Sequence, residues 1–163
     1  MIHELSGDIL LSQAKAVAHG VAPNDHFGSG LALALRERWP AMVKDFRHYC
    51  RESHPKEGEL WAWAGADGKR IVSLFTQSAA PHEGARPGKA STEHVNHALR
   101  ALRHTVIEEG FSSLALPRLA TGVGGLDWED VKPLIQHHLG DLAIPVYVYS
   151  HYQPGMAATE PGV

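Results

Sequence analysis

The pattern of hydrophobic and polar positions switches between two spacings along the chain. Short runs of β-branched or apolar residues predict strands at residues 17–22, 70–75, 113–117 and 145–149. The run LWAWA, residues 60–64, alternates more weakly and predicts a strand at the edge of a sheet. These runs are short and well separated, so they leave room for helices between them.

Helical spacing is clearest in the segment that follows Ser91. Its apolar residues recur at steps of four, three and four, which places them on one face of a helix. They are Val95, Leu99, Leu102 and Val106. Gly110 follows this stripe and is expected to end the helix, because glycine readily adopts the left-handed conformation of a helix terminus.

Three other segments are also predicted to be helical: residues 31–39, 41–53 and 128–139. The last of these begins with WED, whose carboxylates suit the positive end of a helix dipole. It also contains Pro133, which a helix tolerates near its start. Strands and helices thus alternate along the chain, which predicts an α/β fold with a largely parallel sheet.

Composition narrows the class of protein. The chain has 163 residues, of which 44% are hydrophobic and 20% charged, and a formal net charge of −3. We expect one domain, residues 1–152, followed by a disordered tail at 153–163 that is rich in Pro and Gly. The single cysteine, Cys50, forms no internal disulfide, so we expect a cytoplasmic protein. We find neither a signal peptide nor a membrane span in the sequence, and the net charge gives nucleic-acid binding little support.

Two glycine-rich loops precede predicted helices, and both should lie at the carboxyl ends of strands. In a sheet of this kind, ligands bind at that edge. A helix N-terminus offers unpaired N–H groups, and glycine allows close approach of the backbone. Residues 28–30 and 122–125 therefore predict a clamp for a diphosphate, with ordinary turns as the alternative. The spacing of a Rossmann fingerprint is absent, as is the Gly-Lys-Ser/Thr of a P-loop.

Three motifs, in this order, resemble the macrodomain family. They are GDIL with Asp8, AHGVAPNDHFGSGLA at residues 18–32, and LPRLATGVGGLDWEDVKPLI at residues 116–135. The similarity runs from about Ile2 to Tyr152. It is greatest to the branch that contains terminal ADP-ribose protein glycohydrolases and the antitoxins that remove ADP-ribose from DNA. The resemblance implies ADP-ribose binding and a three-layer α/β/α sandwich around a mixed sheet.

The resemblance also implies a set of ligand-binding residues. Asp8 would accept a hydrogen bond from the adenine amino group, although it could instead cap a helix. Tyr149 would lie near the adenine, although it could equally be a core residue of its strand. Thr121 could offer its hydroxyl or simply pack against its loop. The full predicted set is Asp8, Ile9, Gly28, Ser29, Gly30, Leu31, Thr121, Gly122, Val123, Gly124, Gly125, Tyr149 and Tyr152.

The chain departs from this branch at two catalytic positions. Gln77 stands where the resemblance implies a lysine that attacks the distal ribose. Gly124 stands where the glycohydrolases of this branch have an aspartate, whereas the antitoxins also have glycine there. Lys89 is a weak substitute, since it lies several residues away on a loop. Covalent catalysis by lysine is therefore not expected. The catalytic residues remain unassigned, with Gln77, His26 and Asp25 as candidates.

The remaining features bear on cofactors and on the border of the site. Among the twelve histidines, His94 and His97 fall one turn apart on a predicted helix. There is no His-Glu-x-x-His motif and no Cys/His pairing with metal-ligand spacing, so we expect no metal and no cofactor. Asp127 can cap the helix that begins at residue 128, and Trp128 can pack beneath the second glycine loop. Residues 76–91 form a long connection, which we expect to border the distal ribose.

Together these observations predict an ADP-ribose hydrolase. We expect it to act on ADP-ribosylated proteins, at esters of Glu or Asp, by attack of water and without a lysyl intermediate. One alternative is a non-catalytic reader of ADP-ribose. Another is a hydrolase of ADP-ribose that is linked to nucleic acid or phosphorylated. The expected partners are ADP-ribose and modified proteins, with no membrane partner, and the chain is expected to be a monomer.

Overall fold

The computed structural model describes residues 1–82 and 85–163, and its centre is a six-stranded mixed sheet. The strand order is β1-β6-β5-β2-β4-β3, in which β3 runs antiparallel to β4 and all other neighbours are parallel. The strands are β1 Ile2–Gly7, β2 Ala16–Val21, β3 Leu60–Ala64, β4 Arg70–Phe75, β5 Leu114–Pro117 and β6 Val146–Tyr152. The weakly alternating run thus forms the predicted edge strand.

Four helices cover the two faces of the sheet. They are α1 Gly30–Arg38, α2 Pro40–Ser53, α3 Thr92–Glu109 and α4 Trp128–Leu139. Apolar residues of α1 and α2 pack on one face, and those of α3 and α4 pack on the other. This arrangement confirms the predicted three-layer α/β/α sandwich. Within the described residues, no helix combines the length and apolar character needed to cross a membrane.

The longest helix, α3, shows how closely local sequence specifies these elements. The Ser91 hydroxyl accepts a hydrogen bond from the backbone N–H of His94 at 3.1 Å, which caps the start of the helix. Gly110 ends it in the left-handed conformation, with φ of 66°. The predicted apolar stripe is fully buried against the sheet: Val95, Leu99, Leu102 and Val106.

The parallel strands β2, β4, β5 and β6 end at the same edge of the sheet, and so does β1. The segments that follow β2 and β5 are the two glycine loops, and each of them leads into a helix, α1 or α4. The segment after β4 is the long connection to α3. The fold therefore gathers Asp8, which follows β1, the two glycine loops and the long connection at one edge of the sheet.

The segment after β6, which composition predicts to be disordered, makes defined contacts with the rest of the chain. β6 ends at Tyr152, and residues 153–163 then fold back over β1 and the short 3-10 helix Ile9–Leu11. The backbone N–H of Gln153 donates to the carbonyl of Gly7 at 3.0 Å, and Ala158 packs against the core beneath α1 and α2. This segment has few bulky apolar residues, so its position depends on polar contacts that composition does not indicate.

Candidate functional site

An open cavity of about 690 Å³ lies at the carboxyl edge of the sheet, between the two glycine loops. A volume of this size is typical of a site for a small molecule. Ten predicted site residues line it: Asp25, His26, Gly28, Ser29, Gly30, Leu31, Gln77, Gly122, Val123 and Gly124. The structure thus brings both loops and all three catalytic candidates to one cavity.

The first loop, between β2 and α1, is shaped by Asp25. Its Oδ2 accepts a hydrogen bond from the backbone N–H of Ala22 at 3.1 Å, and its Oδ1 accepts one from Phe27 at 2.9 Å. Phe27 adopts a φ of 55°, a strained conformation for a phenylalanine, and its ring is buried against Phe46 at a centroid distance of 5.0 Å. The Asp25 carboxylate is therefore occupied in holding this turn.

The N-terminus of α1 faces the cavity. Ser29 is its N-cap residue, and its side chain makes no capping hydrogen bond. Gly30 has a φ of 59°, and Gly30, Leu31 and Ala32 all line the cavity. The first N–H groups of a helix have no partner within it, and they lie at the positive end of its dipole. This end of α1 can therefore bind an anion through its backbone.

The second loop, between β5 and α4, is held by its own backbone. The N–H of Leu126 donates to the carbonyl of Ala120 at 2.9 Å, and that of Gly125 donates to the carbonyl of Gly122 at 3.0 Å. A Cβ atom at Gly124 would lie 2.6 Å from the Ala120 carbonyl oxygen, so this position has no room for a side chain. The packing of this loop therefore leaves no room for an aspartate at position 124 without a shift of the backbone.

Other predicted residues near this loop have structural contacts. The Thr121 hydroxyl donates to the carbonyl of Arg118 at 2.9 Å, and neither Thr121 nor Gly125 is among the residues that line the cavity. Asp127 is the N-cap residue of α4, but its side chain makes no capping hydrogen bond. Trp128 packs against the core, and the Arg118 guanidinium lies 5.3 Å from its ring centroid.

The long connection borders the cavity, as expected. Gln77 is buried, and its amide Nε2 donates to the carbonyl of Gly88 at 3.1 Å. The N–H of Ala90 donates to the carbonyl of Gly124 at 2.9 Å, which ties the connection to the second loop. Lys89 is exposed and is not among the residues that line the cavity. Gln77 is thus held beside the cavity by a hydrogen bond within this connection.

Three functional candidates were missed in the sequence analysis: Arg86, Arg118 and His19. Arg86 and Arg118 line the cavity and give it positive charge, together with the backbone donors of α1. His19 also lines it, with Nε2 3.2 Å from the Ser73 hydroxyl, and burial lowers its pKa to about 3. His19 is therefore neutral at physiological pH. Single arginines on loops give no sequence signal, although Arg118 lies within the third family motif.

Four residues predicted near the adenine lie outside the cavity lining. Asp8, Ile9 and Tyr149 are buried, and Tyr152 is exposed. Asp8 caps the 3-10 helix through the N–H of Leu10, at 3.0 Å, as its alternative interpretation anticipates. Its role with adenine stays a prediction. The described residues, 1–82 and 85–163, contain no group of three His, Cys, Asp or Glu that could hold a metal ion.

Comparisons with known proteins give this cavity a context. Residues 18–135 match the model of the Macro domain family. The chain is 27% identical over 157 residues to a DNA ADP-ribosyl transferase-DNA ADP-ribosyl glycohydrolase fusion protein of Thermosipho africanus, covering 89% of this chain and 40% of the relative. It is 24% identical over 147 residues to the human ADP-ribose glycohydrolase OARD1, covering 90% of this chain and 89% of the relative.

The fold is similar to that of a solved bacterial structure. The macrodomain of Thermus aquaticus DarG superposes with a TM-score of 0.80 at 26% sequence identity, and the match covers 92% of this chain and 98% of that one. The chain spans 37–40% of the length of the first bacterial relatives that it matches. It therefore corresponds to one part of those longer proteins.

Proposed function

The chain belongs to the Macro domain family, and from that premise we propose that it binds ADP-ribose in the cavity and hydrolyses ADP-ribose from modified proteins. The proposed linkage is an ester of Glu or Asp. One observation carries the proposal: the N-terminus of α1 and the second glycine loop line the same cavity. Two sets of backbone donors arranged in this way suit a diphosphate.

The proposed reaction needs no covalent bond to the protein. A water oxygen attacks the anomeric carbon of the distal ribose and forms a new C–O bond. The bond to the ester oxygen breaks, the carboxylate leaves with the electron pair, and the proton of the attacking water passes to solvent. The transition state resembles an oxocarbenium ion, so orientation of the ribose and of one water supplies much of the rate enhancement.

The catalytic candidates have different parts in this scheme. Gln77 is buried beside the cavity and held by Gly88, so it suits the positioning of water or of a ribose hydroxyl. The Asp25 carboxylate accepts hydrogen bonds from two backbone N–H groups, so we propose that it maintains the conformation of the first loop. His26 is exposed at the cavity, and we propose that it contacts the leaving group or the distal ribose.

The principal experiment compares three substrates in parallel. The protein is incubated with an automodified ADP-ribosyl transferase, with ADP-ribosylated DNA and with ADP-ribose 1''-phosphate, and the released ADP-ribose is measured. We expect release from the first substrate. Because hydroxylamine cleaves esters, treating this substrate with hydroxylamine beforehand should remove the ADP-ribose that the protein would otherwise release. Tight binding of ADP-ribose without release from any substrate would make the protein a reader.

A trapping experiment tests the absence of a lysyl intermediate. A lysine that attacks the ribose forms an imine-like adduct, which borohydride reduces to a stable product. Within the described residues no lysine lines the cavity, so turnover should leave no mass shift on the protein. An adduct that forms in the wild type and is lost in Lys89→Ala would contradict the proposal.

ADP-ribose linked to DNA is the second candidate substrate. The Thermosipho relative is named for activity on DNA, and Arg86 and Arg118 supply positive charge at the cavity. If DNA is the substrate, release from DNA should exceed release from protein. The KM for ADP-ribosylated DNA should also rise with salt concentration, because contacts to DNA phosphates release counterions and therefore weaken as salt is added.

A further inference from the structure

The segment after β6 contacts Asp8 and Tyr149, two residues that the resemblance assigns to adenine. The backbone N–H of Gly155 donates to Asp8 Oδ2 at 2.9 Å, and the N–H of Asp8 donates to the carbonyl of Met156 at 2.7 Å. Oδ1 of Asp8 already accepts from Leu10 at 3.0 Å. Both carboxylate oxygens are thus engaged by backbone N–H groups of the same chain.

Glu160 fixes the segment at a second point, 148 residues along the chain from Ser12. Its Oε2 accepts hydrogen bonds from the Ser12 hydroxyl at 2.6 Å and from the Tyr149 hydroxyl at 2.7 Å. Its Oε1 accepts one from the backbone N–H of Gln13 at 2.8 Å. Burial and this carboxylate raise the pKa of Tyr149 well above its usual range, so the phenol stays a donor. These contacts are charge-assisted and form a defined receptor for one carboxylate.

The segment closes the surface that it crosses. The exposed fractions of Asp8, Ile9 and Tyr149 are 7%, 2% and 4%, and the open cavity includes none of the three. In contrast, residues of the segment itself are mostly exposed, and Ala158 is its only residue among those that pack against the core clusters of the described residues. The segment acts as a cover over polar groups that would otherwise face solvent or a ligand.

We propose that residues 155–161 are a competitor built into the chain, which occupies the adenine end of the cleft and is latched by Glu160. This inference rests on the proposed binding of ADP-ribose. An adenosine group must displace the segment from Asp8, and the affinity for ADP-ribose therefore includes the free energy of opening. A ligand that fills only the open end does not meet this cost.

The test compares Glu160→Ala, a chain that ends at Gln153, and the control Glu52→Gln, in which an exposed glutamate of α2 is changed. Calorimetry measures the affinities for ADP-ribose and for ribose 5-diphosphate, which lacks adenosine. Melting temperatures show that each variant is folded. We expect Glu160→Ala and the shortened chain to bind ADP-ribose about tenfold more tightly than the wild type. Their affinity for ribose 5-diphosphate should be unchanged, and Glu52→Gln should bind both ligands as the wild type does.

A second measurement follows the segment directly. Hydrogen exchange of the Gly155 amide should be slow in the free wild type, and faster both in Glu160→Ala and in the wild type saturated with ADP-ribose. If Glu160→Ala and the shortened chain both bound ADP-ribose with the affinity of the wild type, the segment would not be a competitor. The proposed function would be unaffected by that result. Absence of ADP-ribose binding in the wild type and in both variants would overturn the proposed function, and the competitor with it.

Discussion

The open cavity and the covered surface around Asp8 and Tyr149, here called the open end and the closed end of the site, offer different kinds of binding group. At the open end, backbone N–H groups of α1 and of the second glycine loop line the cavity together with the side chains of Arg86 and Arg118, and the walls come from the segments that follow β2, β4 and β5. At the closed end, the candidate groups are the side chains of Asp8 and Tyr149, and both are engaged by the segment after β6. Backbone donors held by a helix are available without rearrangement, whereas these side chains become available only when a partner leaves.

The largest effect is expected at the open end, from Gly122→Glu. No heavy atom lies within 4 Å of a Cβ built at Gly122, so the variant should fold normally. The new carboxylate would face the diphosphate, and we expect at least a ~100-fold loss of ADP-ribose affinity because like charges oppose each other. Calorimetry and a melting curve check this. If the folded variant bound ADP-ribose as tightly as the wild type, the second loop would not be part of the binding site.

At the closed end, Asp8→Ala should have a smaller and more selective effect. Loss of the hydrogen bond to the adenine amino group should remove about 1–3 kcal/mol of the preference for ADP-ribose, whereas release of Gly155 from Asp8 should affect ligands with and without that amino group alike. The comparison ligand is the inosine analogue of ADP-ribose, which lacks that amino group. The wild type should prefer ADP-ribose, and Asp8→Ala should bind both ligands equally. A variant that melts lower but retains the preference would make Asp8 only a cap of the 3-10 helix.

Gly124→Ala tests whether the open end depends on tight backbone packing. The new Cβ would lie 2.6 Å from the Ala120 carbonyl oxygen, so the loop must shift, at a cost of about 1–2 kcal/mol in the free energy of unfolding. ADP-ribose affinity should fall about tenfold with it. The matched control is Gly122→Ala, which has open space and should be nearly neutral in both measurements. Equal stability of the two variants would contradict the crowding at Gly124.

The smallest effect is expected from Gln77→Ala. This side chain is proposed to orient water or a ribose hydroxyl without forming a bond, so release of ADP-ribose should slow by only about three- to tenfold. The affinity for free ADP-ribose should change little, and Lys89→Ala should be neutral in both assays. A loss of several thousandfold in kcat would show that Gln77 has a more direct part in the reaction than positioning.

The same contrast explains how much the sequence could predict. Glycines before a helix are a local signal, and the stripe from Val95 to Val106 is also local, so the open end and the layers of the fold were predicted. The hydrogen bond from Gly155 to Asp8 joins residues 147 positions apart, and no pattern within either segment indicates it. Arg86 is a single charge on a loop, and its place at the cavity follows from tertiary structure alone.

The order of strands has a consequence for how the protein forms during synthesis. Within the described residues β1 pairs only with β6, and the amino group of Met1 donates to the carbonyls of Leu142 and Ile144. Of the strands of this sheet, β1 is made before all others and must wait for β6 before it can join the sheet. Pairings between such distant segments slow folding, because a long loop must close first. The part of the sheet built on β2, β4 and β5, whose ends carry the cavity, can assemble earlier, and the contacts between Asp8 and the segment after β6 form last.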